Sequence, residues 1–123
     1  MAESFRDLET WQRAMDLAVL IDDLVDRFTR ENQELKWQMR GASMSIPFNV
    51  AEGYRRRSTP AYLNHLSIAM GSQGELDTAL ELVLRTKRQT MEVCKPAIDL
   101  NRRVGWLLFR LYESQGGTDR RSP

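Results

Sequence analysis

The chain has 123 residues, 41% hydrophobic and 28% charged, and its 18 basic and 17 acidic side chains leave a formal net charge of +1. That length suits one domain and excludes paired domains or a TIM barrel, and the near-balanced charge excludes a polybasic tail or a disordered acidic chain. A single cysteine, Cys94, excludes an internal disulfide and a cysteine-built zinc site. The longest apolar run, Leu17-Ala18-Val19-Leu20-Ile21, falls far short of the roughly 20 residues that cross a bilayer, and Met1 to Phe5 lack the marks of a signal peptide. A cytoplasmic location with no membrane partner is expected.

In chain order, the first helix is predicted from about Leu8 to Phe28, with Leu8, Trp11, Met15, Ala18, Ile21, Val25 and Phe28 spaced by three and four. The second, from about Glu34 to Arg56, carries Leu35, Met39, Ala42, Ile46, Val50 and Gly53 on one stripe. Pro47 interrupts that pattern and predicts a kink, with the Ser43 carbonyl deprived of its usual partner. The third helix begins after Ser58-Thr59-Pro60, with Thr59 as its cap and proline at the first helical position. Its stripe is Tyr62, Leu66, Ala69, Met70, Gln73, Leu76, Leu80 and Leu84, and Gly71 and Gly74 are expected where another backbone comes close. The fourth carries Ile98 (or Ala97), Val104, Leu108 and Leu111; a start near Lys95 keeps Pro96 out of its interior. Short connections make neighbours antiparallel. The expected fold is therefore all-α: an antiparallel up-and-down four-helix bundle over 1–115, with a proline kink in helix two and a disordered tail at 116–123.

The helices carry more apolar surface than one small core encloses. Trp37, Met44, Phe48 and Ala51 lie opposite the main stripe of helix two, Ile68, Ala79 and Leu82 opposite that of helix three, and Trp106 with Phe109 on the back of helix four. Trp, Phe and Arg are favoured interface anchors. Trp37, Phe48, Trp106 and Phe109 are thus candidate contacts of a homo-oligomer.

Charge is unevenly placed and lopsided in kind, with 15 Arg against 3 Lys. Residues 1–34 hold 9 acids and 4 bases, whereas residues 35–66 hold 5 bases and 1 acid. Arg55-Arg56-Arg57, with Arg40, form a candidate nucleic-acid-binding patch, since phosphate binding needs only concentrated positive charge. The plainer alternative is that bases favour a helix C-terminus. Arg102-Arg103 with Trp106 offer stacking on unpaired bases.

Catalytic constellations are scarce. His65 is the only histidine and has no partner set for a nucleophile, Cys94 lacks a histidine partner, and Gly71-Ser72-Gln73-Gly74 lies in a helical pattern rather than after a strand. Asn49, Glu52, Ser72 and Glu75 are polar beside apolar stripes and are expected to form a structural hydrogen-bonded network. A weaker alternative makes Glu52 and Glu75 a hydrolytic or metal-dependent pair. No metal, cofactor, catalytic residue or small-molecule substrate is expected.

The segment Ser45-Ile46-Pro47-Phe48-Asn49-Val50-Ala51-Glu52-Gly53-Tyr54-Arg55-Arg56 resembles the signature of the 23S rRNA intervening-sequence protein family, Ser-Ile-Pro-x-Asn-Ile-Ala-Glu-Gly-x-x-Arg preceded by Gln-x-Arg, here Gln38 and Arg40. Phe5, Asp7, Leu8 and Trp11 match its start, and Ala69-x-Gly71-Ser72-x-x-Glu75-Leu76 its third helix. Thr29 to Gln33 lack the proline and glycine usual in its first loop, and Arg85-Thr86-Lys87-Arg88 replace an apolar ending. The resemblance implies a homopentameric four-helix bundle with no demonstrated enzymatic activity. It extends distantly to accessory proteins of diversity-generating retroelements, which associate with a reverse transcriptase and nucleic acid. The expectation is a non-enzymatic, pentameric RNA or ribonucleoprotein accessory, with a protein-binding scaffold lacking any nucleic-acid role as the alternative.

Overall fold

A computed structural model describes residues 4–28 and 33–118. The first interhelical loop at 29–32, and residues 119–123 of the expected disordered tail, lie outside the described residues. Ser4 opens the chain with a capping box closed by Asp7, around a short 3-10 turn at Phe5–Asp7. Four α-helices follow: α1 (Glu9–Val25), α2 (Gln33–Arg55), α3 (Thr59–Arg85) and α4 (Met91–Ser114).

Each helix packs against two others, α1 on α2 and α4, α3 on α2 and α4, so α1 and α3 are diagonal, as are α2 and α4. Cross-helix bonds show the antiparallel sense. Glu9 meets Arg103 and Thr10 donates to the Leu107 carbonyl, joining the start of α1 to the end of α4. Arg40 donates to Asp22 and Asp26, joining the end of α1 to the start of α2. The result is a four-helix bundle in which Ile21, Met39, Ile46, Leu66 and Leu108 of the expected stripes are fully buried; on α1 the buried face also takes in Ala14, Leu17 and Leu24, while Met15 of the expected stripe is exposed. Each fully buried Leu, Ile or Met side chain contributes about 1.5–3 kcal/mol through the apolar area it removes from water.

Local starts and stops differ from expectation in instructive ways. Ser58, not Thr59, caps α3 by accepting from the Ala61 N–H, which places Pro60 one residue inside the helix. α4 begins at Met91 with Thr90 as cap, so Pro96 is an interior residue and not a neighbour of the first turn. Pro96 faces solvent, whereas Cys94 and Ala97 beside it are buried. The cap and that burial outweigh the single backbone bond that proline forfeits. α2 continues helically on both sides of Pro47, which is itself buried, and the Ser43 hydroxyl donates to the Arg40 carbonyl at 3.0 Å. Ala79, placed on the outer face by its spacing, is buried instead.

The glycines also change places. A Cβ at Gly71 or Gly74 would meet nothing within 4 Å, so neither marks a close approach within the chain. Gly53 does: a Cβ there would lie 2.7 Å from the His65 Cβ and 3.1 Å from the Tyr62 ring. The His65 Cβ is fixed to its backbone and cannot swing away, so Gly53 sets how closely α2 and α3 approach. Gly53→Ala should therefore lower stability by about 1–3 kcal/mol by overpacking. Gly74→Ala should raise it by about 0.5–1 kcal/mol, since it only removes a helix-weakening residue at an open position. Urea unfolding followed by circular dichroism measures both, and equal effects at the two positions would refute the assignment of the close contact to Gly53.

Candidate functional site

The polar residues of the signature segment converge on the seam that Gly53 brings together. Ser72 of α3 donates to Ser45 of α2 at 2.7 Å. The Asn49 amide donates to the Ser45 carbonyl at 2.9 Å and lies 3.1 Å from its hydroxyl. That fixes the orientation of Asn49 and turns its carbonyl oxygen to His65 Nδ1, 3.0 Å away. A carbonyl oxygen only accepts, so Nδ1 carries a proton. The other ring nitrogen, Nε2, lies 3.5 Å from the Glu52 carboxylate, which also accepts from Arg56 at 2.8 Å. The result is a relay of contacts from Ser72 to Arg56 that stitches α2 to α3.

Of the four residues expected in a structural network, Asn49, Glu52 and Ser72 are joined in this way. Glu75 is exposed, and among the described residues it makes no hydrogen bond or ion pair with them. It does not meet Glu52, so the two carboxylates form no pair. Ser45 and His65 were not placed in the network by sequence reasoning; the spacing of His65 four residues before Ala69, on the α2-facing side of α3, was the available signal.

The Arg56 guanidinium donating to Glu52 holds its carboxyl below the usual carboxylate range, with the charges of His65 and Arg56 acting in the same direction against some desolvation. Because the folded state lowers this acid, its contribution to stability is complete above the range of a free glutamate and is lost as pH falls through the depressed value. Tyr62 is a different case. Its hydroxyl is buried with no hydrogen-bond partner, and burial, with the nearby Tyr54 second, pushes its pKa up to about 12. Cys94 is fully buried and burial likewise raises its thiol, which is the reverse of what a nucleophilic thiolate requires.

The arginines divide. Arg40 is committed to Asp22 and Asp26 at 3.1 and 2.8 Å. That placement ties Arg40 to Asp22 of α1 and to Asp26 just beyond its end. Arg56 is engaged by Glu52, whereas Arg55 and Arg57 are exposed and in no ion pair among the described residues. The four apolar candidates divide too. Trp37 and Phe48 are 68% and 62% exposed on α2, with Met44 between them at 46%. Trp106 is exposed and Phe109 half-buried, on α4, diagonally across the bundle. They are two separate faces.

A family model described as 23S rRNA-intervening sequence protein matches residues 6–110. The chain belongs to that family. Among solved structures it is similar to a protein of unknown function from the S23 ribosomal protein family of Bacteroides thetaiotaomicron VPI-5482. The two share 24% identity and a TM-score of 0.79 over 85% of this chain and 98% of the other. That likeness shows the fold. No curated protein matches significantly. The matched residues 6–110 include every residue of the relay from Ser72 to Arg56.

Two variants separate structural from orphaned polarity here. Tyr62→Phe should leave stability unchanged or raise it by up to about 1–2 kcal/mol, since it removes an unsatisfied hydroxyl. Asn49→Ala should cost about 1–3 kcal/mol by stranding His65 and Ser45. Denaturant midpoints measure both, and a destabilised Tyr62→Phe would overturn the reading of that hydroxyl. Glu52→Gln should flatten the acid side of the thermal-stability profile, below the usual carboxylate range, because the lowered glutamate is what loses stability there as pH falls.

Proposed function

We propose that this chain is a non-enzymatic subunit that assembles with its own copies through the outer face of α2, and that the assembly is an accessory to RNA or a ribonucleoprotein. The observation that carries the reading is the character of that face. From Gly41 to Ala51 the helix contains no charged residue, and it presents Trp37, Met44 and Phe48 outward. Met15 and Val19 of α1 and Ile68 and Leu82 of α3 are exposed as well. Apolar surface on that scale on a small bundle is covered by a partner. A second copy satisfies it without charge to desolvate, and the family resemblance implies five copies. The engagement of Glu52 by Arg56 and His65, its separation from Glu75, and the buried Cys94 thiol all support a role other than catalysis.

The RNA part rests on Arg55 and Arg57, which stand at the α2 terminus in no ion pair among the described residues, and on the family's description. The acid pairing of Arg40, Arg56 and Arg103 favours the second reading, a protein-binding scaffold with no nucleic-acid role.

Light scattering at micromolar concentration should give a multiple of the 14.3 kDa protomer mass, five for a pentamer. Trp37→Asp with Phe48→Asp should return the protomer mass while circular dichroism stays helical. A native chain that scatters as a monomer overturns the assembly. Labelled structured RNA should bind, with affinity falling as salt rises and on Arg55→Ala with Arg57→Ala. Binding absent even at low salt rejects the RNA role and leaves the scaffold.

A further inference from the structure

The face of α4 is unlike that of α2. Trp106, 43% exposed, and Phe109 lie with ring centroids 5.9 Å apart and planes 29° from parallel. The Arg110 guanidinium sits 5.9 Å from the Trp106 ring centre. Arg102, one turn earlier, is exposed, and among the described residues neither it nor Arg110 forms an ion pair. The neighbouring charges are accounted for: Arg103 is held by Glu9, and Asp99 by Lys95 at 3.0 Å. Glu113, on the next turn, makes no ion pair with Arg110. What remains is a stacked aromatic pair with a free cation on either side along the helix.

We propose that this face of α4 is a stacking platform for single-stranded nucleic acid, with a base lying on Trp106 and the flanking phosphates met by Arg102 and Arg110. Every base offers a π-face, so the platform takes unpaired strands with little sequence preference, while a duplex keeps its faces stacked internally and has none to give. The two cations argue for this occupant over a second copy. Covering them with an apolar surface would strip water from two unpaired guanidinium groups. The α2 face between Gly41 and Ala51 carries no charge and does not impose that cost. The platform deepens the nucleic-acid reading proposed above, but it lies on α4, apart from Arg55 and Arg57 at the end of α2.

The test uses the full-length native chain with fluorescein-labelled oligouridylate and oligoadenylate of about 15 nucleotides, and a duplex of equal length, near the site sizes of single-strand binders. Single strands should bind more tightly than duplex and quench tryptophan emission. Trp106→Ala should abolish that quenching and weaken binding by roughly 5- to 100-fold, with Trp106→Tyr restoring most of it. Arg102→Ala with Arg110→Ala should keep quenching at low salt but reduce the slope of log affinity against log salt by about 0.7 per arginine. Light scattering of Trp106→Ala should match the native mass. Equal binding of duplex, binding unchanged by Trp106→Ala, or a mass that falls in that variant each overturns the proposal, the last by making the face a contact between copies. Weakening by the Arg55 and Arg57 variants alone would fault the platform and spare the other RNA contact.

Discussion

The approach of α2 to α3 at Gly53 is the constraint on which the rest of the bundle depends. With no side chain at that position, the His65 backbone comes close enough for a Cβ to collide at 2.7 Å. That closeness brings Asn49 within hydrogen-bond reach of His65 and Ser45 within reach of Ser72. Polar groups in a helix seam cost free energy unless satisfied, and once satisfied they admit one register of the two helices. A one-residue slide of α3 along α2 would break the bonds from Ser45 and Asn49 together. A core of interchangeable leucines and valines does not impose so sharp a penalty.

The same register decides which face of α2 is left over. With Ser45, Asn49 and Glu52 turned to α3, and Met39, Ile46 and Val50 buried in the core, Trp37, Met44 and Phe48 have only the outward direction. The apolar outer face is therefore a geometric consequence of the polar seam. Arg40 completes the frame from the other side by binding two acids at the end of α1, and its side chain is only about one-third exposed. Two of its five N–H donors are used in that tie, which holds the guanidinium against the end of α1.

Much of the fold was legible because amphipathic periodicity directly reports burial. Leu66, Leu76 and Leu80 fell on the predicted stripe and are buried, as are Ile46 and Val50. Where the reading failed, tertiary structure had overridden a local rule. Pro96 suggested a later start for α4, but a helix tolerates one missing donor on an exposed face when its cap and buried neighbours favour continuation. Gly71 and Gly74 attracted attention as glycines in a helix, yet a glycine carries no side chain to announce its facing, and both point to open space. The site was less legible than the fold. Asn101, fully buried, donates to the Gln73 carbonyl while Gln73 donates back, and Gly105 leaves room for that amide. Flanked by Arg102 and Arg103, Asn101 reads in sequence as one more polar surface residue. Partner choice among charged groups was invisible for the same reason: nothing local distinguishes Arg40, which is ion-paired, from Arg55, which is in no ion pair among the described residues.

The two exposed aromatic faces of the bundle differ in the charges around them. Each carries one tryptophan and one phenylalanine, so the aromatic residues alone do not distinguish them. Between Gly41 and Ala51 there is no charge to desolvate, so burial against an apolar partner gains the full value of the area. Around Trp106 the same burial must first remove water from Arg102 and Arg110, and a guanidinium gives up that hydration only for an anion or a π-face. A nucleic-acid strand supplies both at once. Charge placement, more than the aromatic residues themselves, thus sorts the faces, and the near-neutral total of +1 conceals that sorting because acids spent on Arg40, Arg56 and Arg103 offset bases left free elsewhere.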